Sequence, residues 1–233
     1  MVVRHVPFSP HYWFGAATRP RFSDSDADQR IKDIRSWFRV RGREEFMWMV
    51  GESATPADLV DRLIALGAEL DEEDPIGTGM ILEREPPPGR PDVETRRVET
   101  FEDFAAAVRI TMEDAPADVW AATEATLTTT WDEVRNYGDR LGFVALVDGK
   151  PVASAQLVWL SNGLPYLGGA ATLSEYRGRG AFRALVRARW DEAVAHGTPI
   201  LLVQAGKMSE PIFRRLGFEA TSRITMLRDR SSL

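Results

Sequence analysis

The sequence predicts an α/β protein: a mixed sheet flanked by helices, preceded by a smaller α/β unit. Three observations predict it. Apolar runs of strand length alternate with stretches of helical period from residue 94 to residue 227. The run Glu175-Tyr176-Arg177-Gly178-Arg179-Gly180-Ala181 stands between one such strand and one such helix. Finally, Arg84-Glu85-Pro86-Pro87-Pro88-Gly89-Arg90-Pro91 cannot be a helix interior or a central strand, and reads as a stiff extended linker. The expected parts are residues 1–92 and 93–233.

The second part reads element by element. Glu94 to Val98 is a short strand. Thr100-Phe101-Glu102-Asp103 has the spacing of a capping box, so a helix should run through about Met112. Pro116 to about Tyr137 is further helix, carrying Trp120 and Trp131. Phe143 to Val147 is a strand, Asp148-Gly149-Lys150-Pro151 a turn, and Val152 to Leu160 the returning strand. Ser161-Asn162-Gly163 turns again into the strand Leu164 to Thr172. After the glycine-rich run comes a helix from Phe182 to His196, with Phe182, Leu185, Val186, Ala193 and Val194 on one stripe. Gly197 ends it. Pro199 to Val203 is a strand, Pro211 to Leu216 a short helix stopped by Gly217, and Ala220 to Leu227 a last strand.

The first part echoes this order. Ser23 to Arg41 is a helix with Ile31, Ile34 and Phe38 in phase, ended by Gly42. Phe46 to Val50 is a strand. Thr55-Pro56-Ala57-Asp58 reads as a helix start with proline at the first helical position, and that helix runs to Gly67. Met80 to Leu82 begins another strand. This is either a degenerate half-repeat or the helix–strand alternation that recurs by chance in mixed folds. The first copy has no glycine loop before its long helix.

Composition narrows the function. The 233 residues are 44% hydrophobic and 27% charged, enough for a sizeable core. A net charge of -6 argues against a nucleic-acid partner, which needs a basic face. Cysteine is absent, which excludes disulfides, zinc–thiolate sites and thiol nucleophiles. No apolar run approaches the roughly 20 residues that span a bilayer. Met1-Val2-Val3-Arg4-His5 lacks a signal-peptide h-region, so a cytoplasmic enzyme or binding protein is expected.

The glycine-rich run has a physical meaning. The first N–H groups of a helix have no partner within it, and the helix dipole adds roughly half a positive charge there. Glycines let backbone close on a phosphate, and arginine grips phosphate oxygens through paired N–H bonds. The amides and side chains of Arg177, Gly178, Arg179, Gly180, Ala181, Phe182 and Arg183 are therefore the candidate anion site. A solvated surface turn is the bland alternative.

Two motifs carry a resemblance. Arg177-Gly178-Arg179-Gly180-Ala181-Phe182 is similar to the acetyl-CoA loop of the GNAT superfamily of N-acetyltransferases, and Ile212-Phe213-Arg214-Arg215-Leu216-Gly217-Phe218 is similar to that family's late helix. The resemblance covers about residues 94 to 227, and the first part looks like a decayed GNAT-like unit. It implies a splayed sheet and an N-acetyltransferase that moves an acetyl group from acetyl-CoA to an amine by direct attack. The acceptor would be a small-molecule or peptide amine, the chain a monomer or homodimer, with no nucleic acid, membrane or metal involved. It also implies that the strand backbone at Ala170, Ala171 and Thr172 pairs with the pantetheine arm, and that Ser209 contacts CoA near the sulfur. Helix capping alone also explains Ser209. Two residues depart from the family pattern. Phe182 stands where Gly or Ala is usual, and Phe213 stands where many members place a tyrosine that protonates the leaving thiolate.

Other residues read more plainly. Gly168-Gly169 inside a strand marks a bulge or a close approach. Trp120, Trp131, Tyr137 and Trp159 are core or the wall of an acceptor pocket. Tyr166 is the one acid candidate on its strand. His196 caps a helix C-terminus, and His5 and His11 have no assigned place. Glu113, Asp114, Glu124 and Asp132 read as solvated helix faces, with no carboxylate pair standing out as a base. The alternatives from other classes are an acyl-CoA-binding module that senses without turnover, and a nucleotide-phosphate binder. The second lacks a Walker lysine-Ser/Thr pair and the dinucleotide glycine pattern.

Overall fold

The computed structural model describes residues 1–5, 12 and 15–232, so His11 lies outside the described residues. In the first part of the chain the elements are β1 (Val2–His5), β2 (Gly15–Thr18), α1 (Ala27–Arg39), β3 (Glu45–Gly51), α2 (Leu59–Ala65), β4 (Glu69–Leu70) and β5 (Ile76–Leu82). Then follow β6 (Glu94–Arg97), α3 (Phe101–Thr111), α4 (Ala117–Val134), β7 (Arg140–Val147), β8 (Lys150–Trp159) and β9 (Pro165–Thr172). After a 3-10 turn at Ser174–Tyr176 come α5 (Ala181–Ala195), β10 (Leu201–Ala205), α6 (Glu210–Arg215) and β11 (Glu219–Arg230). Two compact units form, divided differently from a cut near residue 92. One takes Met1–Gly79, Gln204–Pro211 and Ala220–Leu233; the other takes Met80–Val203 and Ile212–Glu219.

In the first unit β1 pairs antiparallel with β2, β2 parallel with β3, and β3 antiparallel with β11. The crossover from β2 to its parallel partner β3 runs through α1. That helix forms because Ile31, Ile34 and Phe38 fall on one face, and all three are buried. Phe38 stacks on Phe46 with ring centroids 4.1 Å apart. Leu59 and Leu63 of α2 join the same cluster with Trp48 and Leu227. At its edge sits a buried ion pair. Arg35 donates to both oxygens of Asp229, at 3.0 and 2.9 Å, and to the Leu66 carbonyl at 2.9 Å. Trp48 Nε1 donates to Asp229 at 2.7 Å. The burial of these charges is tolerable because each oxygen is answered.

α2 begins three residues later than its proline suggested. Thr55 is held extended, its N–H donating to the Pro20 carbonyl and its carbonyl accepting from Phe22, so Pro56 lies outside the helix.

In the second unit the strand order is β6-β7-β8-β9-β10, antiparallel until the parallel pair β9 and β10. The β7–β8 turn has Asp148 at φ 51 and Gly149 at φ +74, the two left-handed residues that a two-residue hairpin demands. Residues 152–155 of β8 are all buried, so both faces of this strand are covered. On one face, Ser154 Oγ donates to the Ala107 carbonyl of α3 at 3.3 Å. α5 packs on the strands as well. Thr100 caps α3 as expected, its hydroxyl accepting from Asp103 N–H at 3.2 Å, while the Asp103 carboxylate turns to Arg96. Along α5, Leu185, Val186 and Ala193 are buried, but Val194 is 47% exposed, one step off the stripe.

The segment read as a stiff linker is docked within the second unit. Glu85 pairs with Arg187, and Gly89 lies so close to α5 that an added Cβ would meet Ala184 Cβ at 3.2 Å.

Asp229→Ala should cost the chain about 3–5 kcal/mol, because it leaves the Arg35 guanidinium buried and unpaired. Urea denaturation measures it, and a loss under ~1 kcal/mol would contradict this account of the first unit.

Candidate active site

The site starts at a fault in the sheet. Along β8 and β9, Ala155 faces Ala170 but Gln156 faces Gly168, so Gly169 is the extra residue of a β-bulge. A Cβ on Gly169 would meet nothing within 4 Å. On the other edge of β9 the register with β10 is a single pair, Leu202 with Tyr166. Beyond it, among the described residues, Gly168 and Ala170 to Thr172 pair with β8 alone, and Gly169 and Ala170 are exposed. An edge of that kind offers a row of N–H and C=O groups to an extended ligand.

The chain then turns under the control of one carboxylate. Glu113, just past α3, accepts from the Ser174 N–H with both oxygens at 3.0 Å and from the Ser174 hydroxyl at 2.9 Å. Arg177 lies 3.9 Å away on its other side. The Ser174 N–H, then its hydroxyl, hold the Glu113 carboxyl below its usual 4.5, aided by Arg177 and opposed by desolvation. Glu113 is thus an anchor of the loop and not a merely solvated helix face.

The loop itself places its amides outward. Gly178 has φ +76 and Gly180 φ +90, left-handed values that only glycine adopts cheaply. Gly180 is the N-cap of α5, and its carbonyl accepts from Ala184 N–H at 3.0 Å. Among the described residues no acceptor is recorded for the N–H groups of Gly178 and Gly180, and those of Ala181, Phe182 and Arg183 belong to the open first turn. The fifteen-residue α5 adds its dipole behind them.

The side chains are divided in their use. Arg177 Nε donates to the Thr172 carbonyl at 3.3 Å, closing the loop onto the end of β9. Arg179 is exposed, its guanidinium 5.1 Å from the Tyr176 ring. Arg183 is half-buried, with an Nε shielded from solvent and without a partner. Phe182 turns to Phe213, edge to face at 5.3 Å, and Phe213 to Phe218 at 4.9 Å. Phe213 is 5% exposed, so these three rings form an apolar wall of the second unit.

Ala170, Ala171 and Thr172 therefore lie on the open edge, and Arg177 to Arg183 form the loop and first turn that follow it. Ser209 belongs to the first unit. Its hydroxyl accepts from Gly206 N–H at 3.0 Å, which makes it part of a turn before α6. The aromatic residues do not form one wall. Trp120 lies under Arg109 at 4.1 Å, Trp131 meets Phe104 at 5.4 Å, and Trp159 stacks on His196 at 4.1 Å.

Two neighbours of the loop escaped the sequence reading. Glu113 is 61 residues from its partner. Arg90 leans its stem on Gly180, where an added Cβ would stand 2.7 Å from its Cδ, and its guanidinium pairs with both Asp92 oxygens at 2.9 and 3.1 Å. No local signal joins either residue to the loop.

Residues 104–218 match the model of the acetyltransferase (GNAT) family. No curated protein matches the chain. Solved structures share its fold. A GCN5-related N-acetyltransferase from Kribbella flavida is 19% identical, over 95% of this chain and 83% of that one, with a TM-score of 0.69. One from Sphaerobacter thermophilus is 15% identical, over 98% and 75%, with a TM-score of 0.63. A tandem GNAT protein from the clavulanic acid biosynthesis pathway is 17% identical, over 88% and 69%, at 0.62.

Two variants test the loop. Gly180→Ala forces alanine into the left-handed region at a cost of about 1–2 kcal/mol and pushes on Arg90. It should weaken coenzyme A binding about tenfold by calorimetry. Unchanged affinity would mean that the loop's shape does not matter. For Glu113, a lowered carboxyl pKa means that its bonds stand above pH 4.5 and are lost as pH falls through the folded value. Wild-type affinity for coenzyme A should drop below pH 4.5, and Glu113→Gln should be several-fold weaker at neutral pH. A Glu113→Gln chain that binds like wild type at pH 7 would sink the anchoring role.

Proposed function

We propose, for a chain that belongs to the acetyltransferase (GNAT) family through its residues 104–218, that it moves the acetyl group of acetyl-CoA onto an amine by direct attack. The observation that carries the reading is the edge of β9 left open from residue 168 to 172, followed directly by a loop and helix start with unanswered amides. An extended thioester arm ending in a diphosphate complements that order: strand-like pairing first, anion second.

In this reading the amides of Gly178 and Gly180 to Arg183 hold the diphosphate, with Arg179 and Arg183 as added positive charge. Ala170, Ala171 and Thr172 pair with the pantetheine arm, and the Phe182–Phe213 wall excludes water. The amine nitrogen, in its neutral form, attacks the thioester carbonyl carbon. Its lone pair becomes the new C–N bond, the C–S bond breaks, and its electron pair leaves on sulfur as thiolate; the excess proton on the new amide nitrogen passes to water and is balanced by the thiolate. A backbone N–H of the open edge answers the transient oxyanion. Holding donor and amine together supplies much of the rate.

Phe213 has no proton to give, so the thiolate departs unaided. The rate then depends on the amine losing its proton and carries no term for an acid on the chain. The net charge of -6 suits a cationic amine, small or peptidic. Phe213 also favours a second reading, a module that binds acyl-CoA without turnover.

The first unit supports one coenzyme per chain. It repeats the strand–helix–parallel strand order through β2, α1 and β3, as β9, α5 and β10 do. At the start of α1, however, stand Asp24, Asp26 and Asp28. Arg62 pairs with Asp24, Asp28 and Asp58, and hydrogen bonds from Ser23 and Ser25 keep Asp26 ionised to lower pH than usual. Carboxylates at that helix start repel a phosphate. We read this unit as a degenerate GNAT-like copy. Among the described residues no helix is long and apolar enough to cross a membrane, and with the absence of cysteine this supports a cytoplasmic setting.

Thiol release from acetyl-CoA with a panel of amines should rise with pH as each amine deprotonates, and should show no falling alkaline limb. Binding with no release across the panel favours the module reading. Calorimetry should give one coenzyme A per chain; two sites of similar affinity would contradict the degenerate reading of the first unit.

A further inference from the structure

Arg189 is fully buried, and among the described residues no charge stands against its own. Its relative exposure is 0%, and among the described residues no carboxylate pairs with it. Nε donates to the Leu185 carbonyl one turn back on α5, at 2.9 Å. Nη1 donates to the Gln156 carbonyl of β8 at 3.3 Å, and Nη2 has no partner. Desolvation pushes this guanidinium down to about 9. A buried cation without its anion is costly, and an apolar side chain of the same volume would be the cheaper choice for stability alone. The contrast with Arg35, whose guanidinium is met by both oxygens of Asp229, is direct.

The place of the one long-range bond is informative. Gln156 is the residue opposite Gly168, at the point where the register of β8 and β9 slips. Its carbonyl lies beside Gly168, 3.6 Å from where a Cβ on that glycine would stand. Arg189 therefore ties α5 to the strand pair at the bulge. The same helix carries the open amides of Ala181 to Arg183 about two turns away, or about 12 Å along its axis.

We propose that Arg189 is a positioning residue for acetyl-CoA. It holds the bulge at Gly168–Gly169 at a fixed distance from the start of α5, so that the open edge and the open helix turn match one coenzyme. The inference rests on the acetyl-CoA reading above and adds a residue outside both sequence motifs. Arg189 touches no part of the ligand in this account; it acts through Gln156 and the bulge.

The test separates positioning from mere support. Arg189→Met removes the buried charge and keeps the bulk, so its melting temperature should equal or exceed that of wild type. Its affinity for coenzyme A should fall about tenfold by calorimetry, the equivalent of one or two misplaced backbone bonds. ADP carries the diphosphate and no pantetheine, so its affinity should stay within about twofold of wild type. Arg189→Lys keeps a donor for Gln156 and should recover part of the coenzyme A affinity. The proposal is overturned if Arg189→Met binds coenzyme A like wild type, or if coenzyme A and ADP weaken by the same factor. Should Arg189→Met fail to fold, Arg189→Lys decides alone, since a loss for coenzyme A that spares ADP supports the proposal and equal effects refute it. A wild-type chain that takes up no coenzyme A removes the acetyl-CoA reading itself.

Discussion

Backbone amides need acceptors, and the second unit leaves two consecutive runs of them open. One lies along β9 after its single registered pair with β10, and the other at the start of α5. Folded chains rarely leave such groups without a partner unless water or a ligand supplies one. The elements around them keep them open. A bulge at Gly169 breaks the ladder, Glu113 and Arg177 fix the turn, and two left-handed glycines point the loop outward. The chemistry assigned to the chain depends on this arrangement more than on any single side chain. Proximity and a fixed dipole can accelerate acyl transfer without an ionisable residue at the centre.

The two units treat comparable geometry in opposite ways. Each has a helix crossing between parallel strands. In the first, the helix start is crowded by the chain's own carboxylates, and the internal ion pair of Arg35 and Asp229 is fully answered. In the second, Arg90 leans on the helix start but leaves its first-turn amides open, and among the described residues the buried Arg189 has no anion beside it. The first unit answers its buried ion pair, while the second keeps unanswered backbone amides of the kind that mark a functional site.

Much of this was legible in the sequence because the signals were local. The Thr100 cap, the Asp148-Gly149 turn and the period of Ile31, Ile34 and Phe38 each act within a few residues, and each appears where expected. The loop from Arg177 to Ala181 was legible for the same reason. What failed were long-range matters. Thr55 is held extended by partners more than thirty residues away, which delayed α2. The prolines of residues 86–91 exclude a helix by local chemistry, but nothing in them announces that Glu85 pairs with Arg187 or that Gly89 fits against Ala184. β1, β2 and β4 are two to four residues long, too short for a period to register. Glu113 reads as an ordinary acidic residue at a helix end, and Arg189 as one of several arginines on α5, until their partners at 61 and 33 residues' distance are known.

Amide hydrogen exchange of the full chain, with and without coenzyme A, addresses the open backbone most directly. The account predicts slowed exchange in two separate stretches, 168–172 and 178–183, with little change in the helix start at 27–30 of the first unit. Exchange that stays fast in both stretches while coenzyme A is bound would contradict it, since the ligand would then be held by something other than these amides.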